Sequence, residues 1–260
     1  MPVSRTRKPK QKPREPARPE ARGRRSALRR LTAALIAAFL VCVLAVGGLS
    51  ALSGGGDGGA DGEGDGSVQP LPSDHPALDV ARRDADDPLA LGEADAPVVM
   101  IEYVDFQDAF SGIHARETHD ALVAEYVESG EVRIEFRNYP INGPESDSAA
   151  RAAWAAGQQG RFWEFYAAAL AEEFHQGSGR FDEEGARALA EEAGVADVER
   201  FAADMESDEA FDAIQRDADE GFDLGVTSTP SFMINGQAIE GARPVDEFRE
   251  LLDQLIESAP

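Results

Sequence analysis

Apolar residues along this chain switch between the strand period and the helix period, and the order of the switches predicts an α/β domain. Val98 to Val104, "VVMIEYV", is almost continuously apolar, as a central strand covered on both faces would be. Asp108 or Ser111 is placed to cap the helix that follows, whose pattern runs through Ala121, Leu122, Tyr126 and Val127 to a stop at Ser129 and Gly130. Val132 to Tyr139, "VRIEFRNY", alternates and is rich in β-formers, so it reads as a second strand ended by Pro140. A strand, a helix and a strand of these lengths predict a right-handed crossover and a parallel pair.

Residues 146–223 read as a helical insertion. In "RFWEFYAAALAEEF" Phe162, Phe165, Tyr166, Ala169 and Leu170 fall on one face, while Trp154 and Trp163 are expected to pack. Beyond Gly225, "PSFMI" and "QAIEG" are short strands joined by Asn235-Gly236, a strong two-residue hairpin signal. Pro244 then opens a terminal helix whose apolar face is Val245, Phe248, Leu251, Leu252, Leu255 and Ile256.

Ahead of this domain the pattern changes character. Residues 1–30 hold twelve Lys or Arg against two Glu and read as a disordered basic tail. Residues 31–52, "LTAALIAAFLVCVLAVGGLSAL", carry no charge over 22 positions, the length of a membrane-spanning helix. Positive charge before the run and acids after it place the tail in the cytoplasm and the rest outside, as a single-pass protein of the cell membrane. A cleaved signal peptide is the competing reading; the long apolar run, the long basic region and an indistinct cleavage site favour the anchor. Residues 53–78 form a linker, with eight Gly and four acids between Gly54 and Gly66, and the folded domain is expected over 79–260.

Charge and cysteine content narrow the function. Removing the tail's +10 from the net −24 leaves −34 for residues 31–260, with 47 acids against 13 Arg and no Lys. Such a surface repels phosphates and excludes non-specific nucleic-acid binding by the exported part. The one cysteine, Cys42, lies inside the apolar run, so the exported part can form no internal disulfide. No residue pattern calls for a cofactor.

The stretch "DFQDAFSG", Asp105 to Gly112, stands where the first strand turns into its helix. With "EFRNYPI", "QGRFWEFY" and "GVTSTPSFMINGQAIEGARP" it resembles the DsbA-like thiol-disulfide oxidoreductases of the thioredoxin superfamily over about residues 86–257. The resemblance implies a thioredoxin-like fold with a helical insertion. By position, Asp108 and Ser111 occupy the two cysteine sites of that family's redox pair, and Thr229-Pro230 matches its cis-proline pair. Relatives present the backbone before that proline to extended peptide, a form of strand addition. The resemblance therefore implies a peptide-binding groove at Asp108, Phe110, Thr229 and Pro230, here without the redox cysteines.

Each of these residues has a plainer role as well. Asp108 can cap the helix and keep the negative charge that the helix end favours. Ser111 needs a base to act as a nucleophile; His114 lies one turn on, with no acid near in sequence to orient it. A metal site built from Asp108, His114 and His119 is conceivable, but five residues at a regular helical pitch leave the histidines about 140° apart. They are expected to be ordinary surface or partly buried side chains, like His75 in the linker and His175 at a helix end.

Three functions follow as expectations. The first is a redox-inactive, chaperone-like binder of exported protein or peptide clients. The second is an enzyme on the same scaffold, either a disulfide-oxidoreductase relative or one using glutathione through Ser111. The third is a structural or regulatory ectodomain acting with a membrane partner.

Overall fold

A computed structural model describes residues 79–173 and 176–259. The basic tail, the run 31–52 with Cys42, the linker to residue 78, His75 and His175 lie outside the described residues. Among those described, no helix is long and apolar enough to cross a membrane.

Five strands form one sheet: β1 (Ala90–Leu91), β2 (Val98–Val104), β3 (Val132–Asn138), β4 (Ser231–Ile234) and β5 (Gln237–Glu240). Their spatial order is β1-β3-β2-β4-β5. The central pair β2 and β3 is parallel, with Val98 opposite Val132 and Val104 opposite Asn138, as the crossover pattern predicts. The other pairings are antiparallel. β1 is too short to leave a periodic signal in the sequence. The β4–β5 hairpin turns at Asn235 (φ 43°) and Gly236 (φ 84°), the two positive φ values that a tight hairpin of this kind needs.

The crossover between β2 and β3 is a continuous helical run, α1, made of α-helical Ala109–His114, π-helical Ala115–His119, α-helical Asp120–Leu122 and π-helical Val123–Val127. Five helices build the insertion: α2 (Pro144–Gly157), α3 (Phe162–Leu170), α4 (Glu183–Glu192), α5 (Val198–Met205) and α6 (Asp208–Asp223). The chain closes with α7 (Val245–Ser258), which follows Pro244.

Both faces of β2 are covered, which explains its unbroken apolar run. Val98 and Met100 point into a core shared with Leu122 of α1 and Phe248 and Leu252 of α7. Val99, Ile101 and Tyr103 pack on the opposite face against Tyr139, Val226 and Met233. The insertion has its own core, in which Phe106, Phe136, Phe162, Phe165, Phe181 and Phe201 interlock over the alanines of α2. Phe106, just past the end of β2, joins the strand-to-helix turn to that aromatic core.

β3 also carries a buried ionic network. Glu135 is fully buried and pairs with Arg133 and Arg137, both at 2.9 Å, and accepts the backbone N–H groups of Arg82 and Arg83. Arg137 reaches Glu220 of α6 at 2.8 Å, and Arg82 holds Asp217 at 2.7 Å. Charges this deep persist only when paired and hydrogen-bonded. The network ties the segment before β1 and helix α6 to the sheet.

Candidate functional site

The turn after β2 is built by two aspartates with different tasks. Asp105 is buried; one carboxylate oxygen accepts the backbone N–H of Gln107 at 2.8 Å. The other accepts Ile141 N at 2.8 Å, Asn142 N at 2.9 Å and Asn142 Nδ2 at 2.8 Å. It thus staples the loop after β3 to the start of α1. Its place in "DFQ" was legible, but those loop partners are distant in sequence and leave no local signal.

Asp108 is the N-cap of α1. Its backbone is extended (φ −90°, ψ 125°), and its Oδ2 accepts Ser111 N at 2.7 Å and the Ser111 hydroxyl at 2.9 Å. The carboxylate therefore occupies the position where helix N–H groups favour an anion. Ser111 is fully buried. Its hydroxyl donates to Asp108, while His114, three residues on, points Nε2 at Glu102 Oε1, 3.3 Å away. A serine held this way has no histidine base on its oxygen.

The residues expected to form a peptide groove do not share one exposure. Phe110, in the first turn of α1, is 59% exposed, a large apolar ring left in solvent beside the capped turn. Thr229 and Pro230 are buried, and the peptide bond between them is cis. Pro230 O accepts Gly241 N at 2.8 Å, which ties the proline loop to the end of the hairpin. Phe232 is core. Asp108 is half-buried between the exposed ring and the buried hydroxyl.

The histidines depart from the sequence reading. His114 is fully buried and His119 is 4% exposed, rather than lying at or near the surface. They converge because Ala115–His119 is a π-turn: hydrogen bonds reaching five residues along the helix bring residues five apart onto one side. The third member of the group is Glu102 of β2, not Asp108. Glu102 lies 3.3 Å from His114 Nε2 and 3.6 Å from His119 Nδ1, and it is fully buried. Burial pushes its carboxyl up, but the charge of His119 and the charge and hydrogen bond of His114 outweigh that and hold it at about 2. A glutamate inside "VVMIEYV", a strand buried on both faces, was the signal that this position needed partners.

Comparison with known proteins accords with this geometry. A family model described as thioredoxin matches residues 84–254. A probable disulfide bond formation protein D from Bacillus anthracis is 31% identical over 155 residues, covering 56% of this chain and 69% of that protein. An Na(+)/H(+) antiporter NhaA from Herminiimonas arsenicoxydans is 32% identical over 151 residues, covering 58% of this chain but only 23% of the antiporter. Among solved structures, oxidised BdbD from Bacillus subtilis covers 66% of this chain and 94% of its own at a TM-score of 0.61 and 19% identity, a likeness of fold. A thioredoxin-like oxidoreductase from Silicibacter pomeroyi covers 68% and 95% at a TM-score of 0.57 and 29% identity.

The fold and the strand-to-helix turn define a thioredoxin-superfamily protein. The chain belongs to the thioredoxin family as a DsbA-like member and lacks the cysteine pair, its one cysteine being Cys42.

Proposed function

We propose that this chain is a membrane-anchored, extracytoplasmic DsbA-like protein that binds extended peptide at the Asp108–Phe110 turn without thiol–disulfide exchange. The observation that carries the reading is the exposure of Phe110 beside a closed, sulfur-free cap. The ring offers an apolar anchor between Asp108 and Ser111, the two positions where relatives would place their reactive thiols. Asp108 and Ser111 spend their polar atoms on each other and on the helix end. The cis Thr229-Pro230 bond keeps the loop that relatives are implied to use for peptide, although burial of both residues leaves Phe110 as the main contact. Anchoring is supported by the uncharged run 31–52 behind a basic tail.

The reading with Ser111 as the site for a thiol cosubstrate has less support, because that hydroxyl is buried and donates to Asp108. The test is binding of fluorescent unfolded peptides to the full-length chain, with suppression of client aggregation followed by light scattering. Phe110→Asp is expected to weaken peptide binding at least about tenfold, the loss typical of an aromatic anchor, with thermal stability unchanged. Absence of both binding and aggregation suppression in the parent chain would sink the proposal.

A further inference from the structure

Glu102, His114 and His119 form a buried group with more polar capacity than the protein satisfies. Glu102 Oε2, His114 Nδ1, His119 Nδ1 and the Tyr166 hydroxyl have no hydrogen-bond partner among the described residues. All four residues are nine-tenths or more buried. Buried polar groups are nearly always paired, so these unpaired atoms need an explanation, and His119 Nδ1, 3.6 Å from Glu102 Oε1, is the one that an ion between the three residues would take up directly. The surroundings are otherwise apolar. The His114 ring lies 4.6 Å from that of Phe232 and 5.5 Å from that of Phe248. Trp163 stacks on His119 at 5.1 Å, and the Tyr166 ring is 5.1 Å from His119 on another side.

We propose that Glu102, His114 and His119 form a structural binding site for a divalent first-row transition ion of the zinc class. The donor set is two imidazoles and one carboxylate, which suits such ions and not the oxygen-demanding alkaline earths. In a tetrahedral site with bonds of about 2.0–2.1 Å, neighbouring ligand atoms stand about 3.3–3.4 Å apart. The two distances to Glu102 Oε1 are 3.3 Å from His114 Nε2 and 3.6 Å from His119 Nδ1. One ligand atom from each residue falls within 4.8 Å of the others. With all three atoms within 4.8 Å of one another, the remaining gap, between the two histidines, has to close by at most about 1.5 Å to meet that tetrahedral edge.

Three elements supply the site and its cover: β2 gives Glu102, the π-turn of α1 gives His119 and brings His114 beside it, and α3 lays Trp163 and Tyr166 over them. A site this enclosed loads as the domain folds, so ion binding and folding are coupled. It is independent of peptide binding at Phe110.

The test uses the full-length chain, denatured and refolded either with a chelator or with stoichiometric Zn2+ in excess Mg2+, which occupies carboxylate-only sites on the acidic surface. The expected result is about one zinc retained per chain and a higher Tm than after refolding with chelator. Co2+ in its place is expected to give the visible absorption of a nitrogen-ligated, low-coordinate ion. His119→Gln and Glu102→Gln are each expected to lower zinc affinity at least about tenfold, and substitution of His75 and His175 to leave it unchanged. The cobalt spectrum of the parent chain needs no variant, so the test survives if a substituted chain does not fold.

Four results would overturn the proposal. One is a parent chain that retains no zinc and has the same Tm in both conditions. Another is zinc retention undiminished in both His119→Gln and Glu102→Gln, or a cobalt spectrum of oxygen ligands alone. The last is stability that follows pH but not zinc, which would assign the cluster to a shared proton.

Discussion

The chain with Asp108→Cys and Ser111→Cys is expected to catalyse disulfide reduction at least about tenfold above the parent, and the parent to stay at buffer background, because exchange needs an attacking and a resolving sulfur. Cys42→Ser is included in both chains so that a lone thiol cannot contribute. The first position already suits a thiolate: the Asp108 side chain receives the Ser111 N–H at the helix start. That environment lowers a thiol pKa below about 8.5 and raises the fraction of nucleophile at neutral pH. The second position, held by Ser111, is fully buried, so a sulfur introduced there would be shielded until the first is attacked. The measurement is turnover of a disulfide-bonded protein substrate with a thiol reductant. Exchange by the parent would remove the basis of the non-redox reading. Failure of the double variant to form its own disulfide would show that the turn no longer has the geometry of a redox pair.

The largest stability effect is expected from Arg137→Met. Arg137 is fully buried, and its guanidinium meets Glu220 at 2.8 Å, Glu135 at 2.9 Å and the carbonyl of Val80 at 3.2 Å. Removing it takes one cation from two carboxylates that keep other partners, Arg133 for Glu135 and Arg82 for Glu220, so the loss is expected at the low end, about 3 kcal/mol, of the usual ~3–5 kcal/mol for a broken buried pair. In a domain of this size each kcal/mol moves Tm by about 2–4 °C, so the fall should be roughly 10 °C. A Tm within about 2 °C of the parent, measured by circular dichroism, would show that the network adds little beyond specificity.

Acid should act on the same network. Burial pushes the Glu135 carboxyl up, but the Arg82 backbone N–H and the Arg133 and Arg137 side chains more than offset it and hold it at about 2. Glu220 is lowered too; burial opposes this, and Arg137 and Arg82 outweigh it. Depressed carboxylates contribute stability that is present above their unfolded value of 4.5 and lost as pH falls from there towards 2. Asp217 runs the other way: its pKa is raised, chiefly by burial, and this offsets part of the effect. Tm is therefore expected to fall on acidification below about pH 5, and less steeply in Arg137→Met, which lacks one partner that depresses both glutamates, by a hydrogen bond to Glu135 and by its charge on Glu220.

The elements that position the turn were legible because their patterns are local. Val98–Val104 reads as a strand covered on both faces, and it is one. Asn235-Gly236 marks a hairpin because both residues tolerate positive φ, and the turn uses that tolerance. Asp108 reads as a cap because its chemistry is spent within three residues. β1 escaped because two residues cannot show a period, and Asp105 because its partners come from the far side of β3.

The histidines mark the boundary between the two kinds of knowledge. Regular helical spacing sends His114 and His119 in different directions, and nothing in "GIHARETHD" announces that the helix widens between them. The sequence by itself determined the order of the longer strands and helices, the family, the loss of both redox sulfurs and the acidic, lysine-free character of residues 31–260, all of them properties of residue identity and short-range pattern. Only the tertiary structure decided that Ser111 is closed off while the Phe110 ring stands in solvent, and that two histidines and a strand glutamate meet in the interior. Those outcomes depend on a π-turn and on packing between β2, α1 and α3, contacts between residues far apart in the chain that no local pattern encodes.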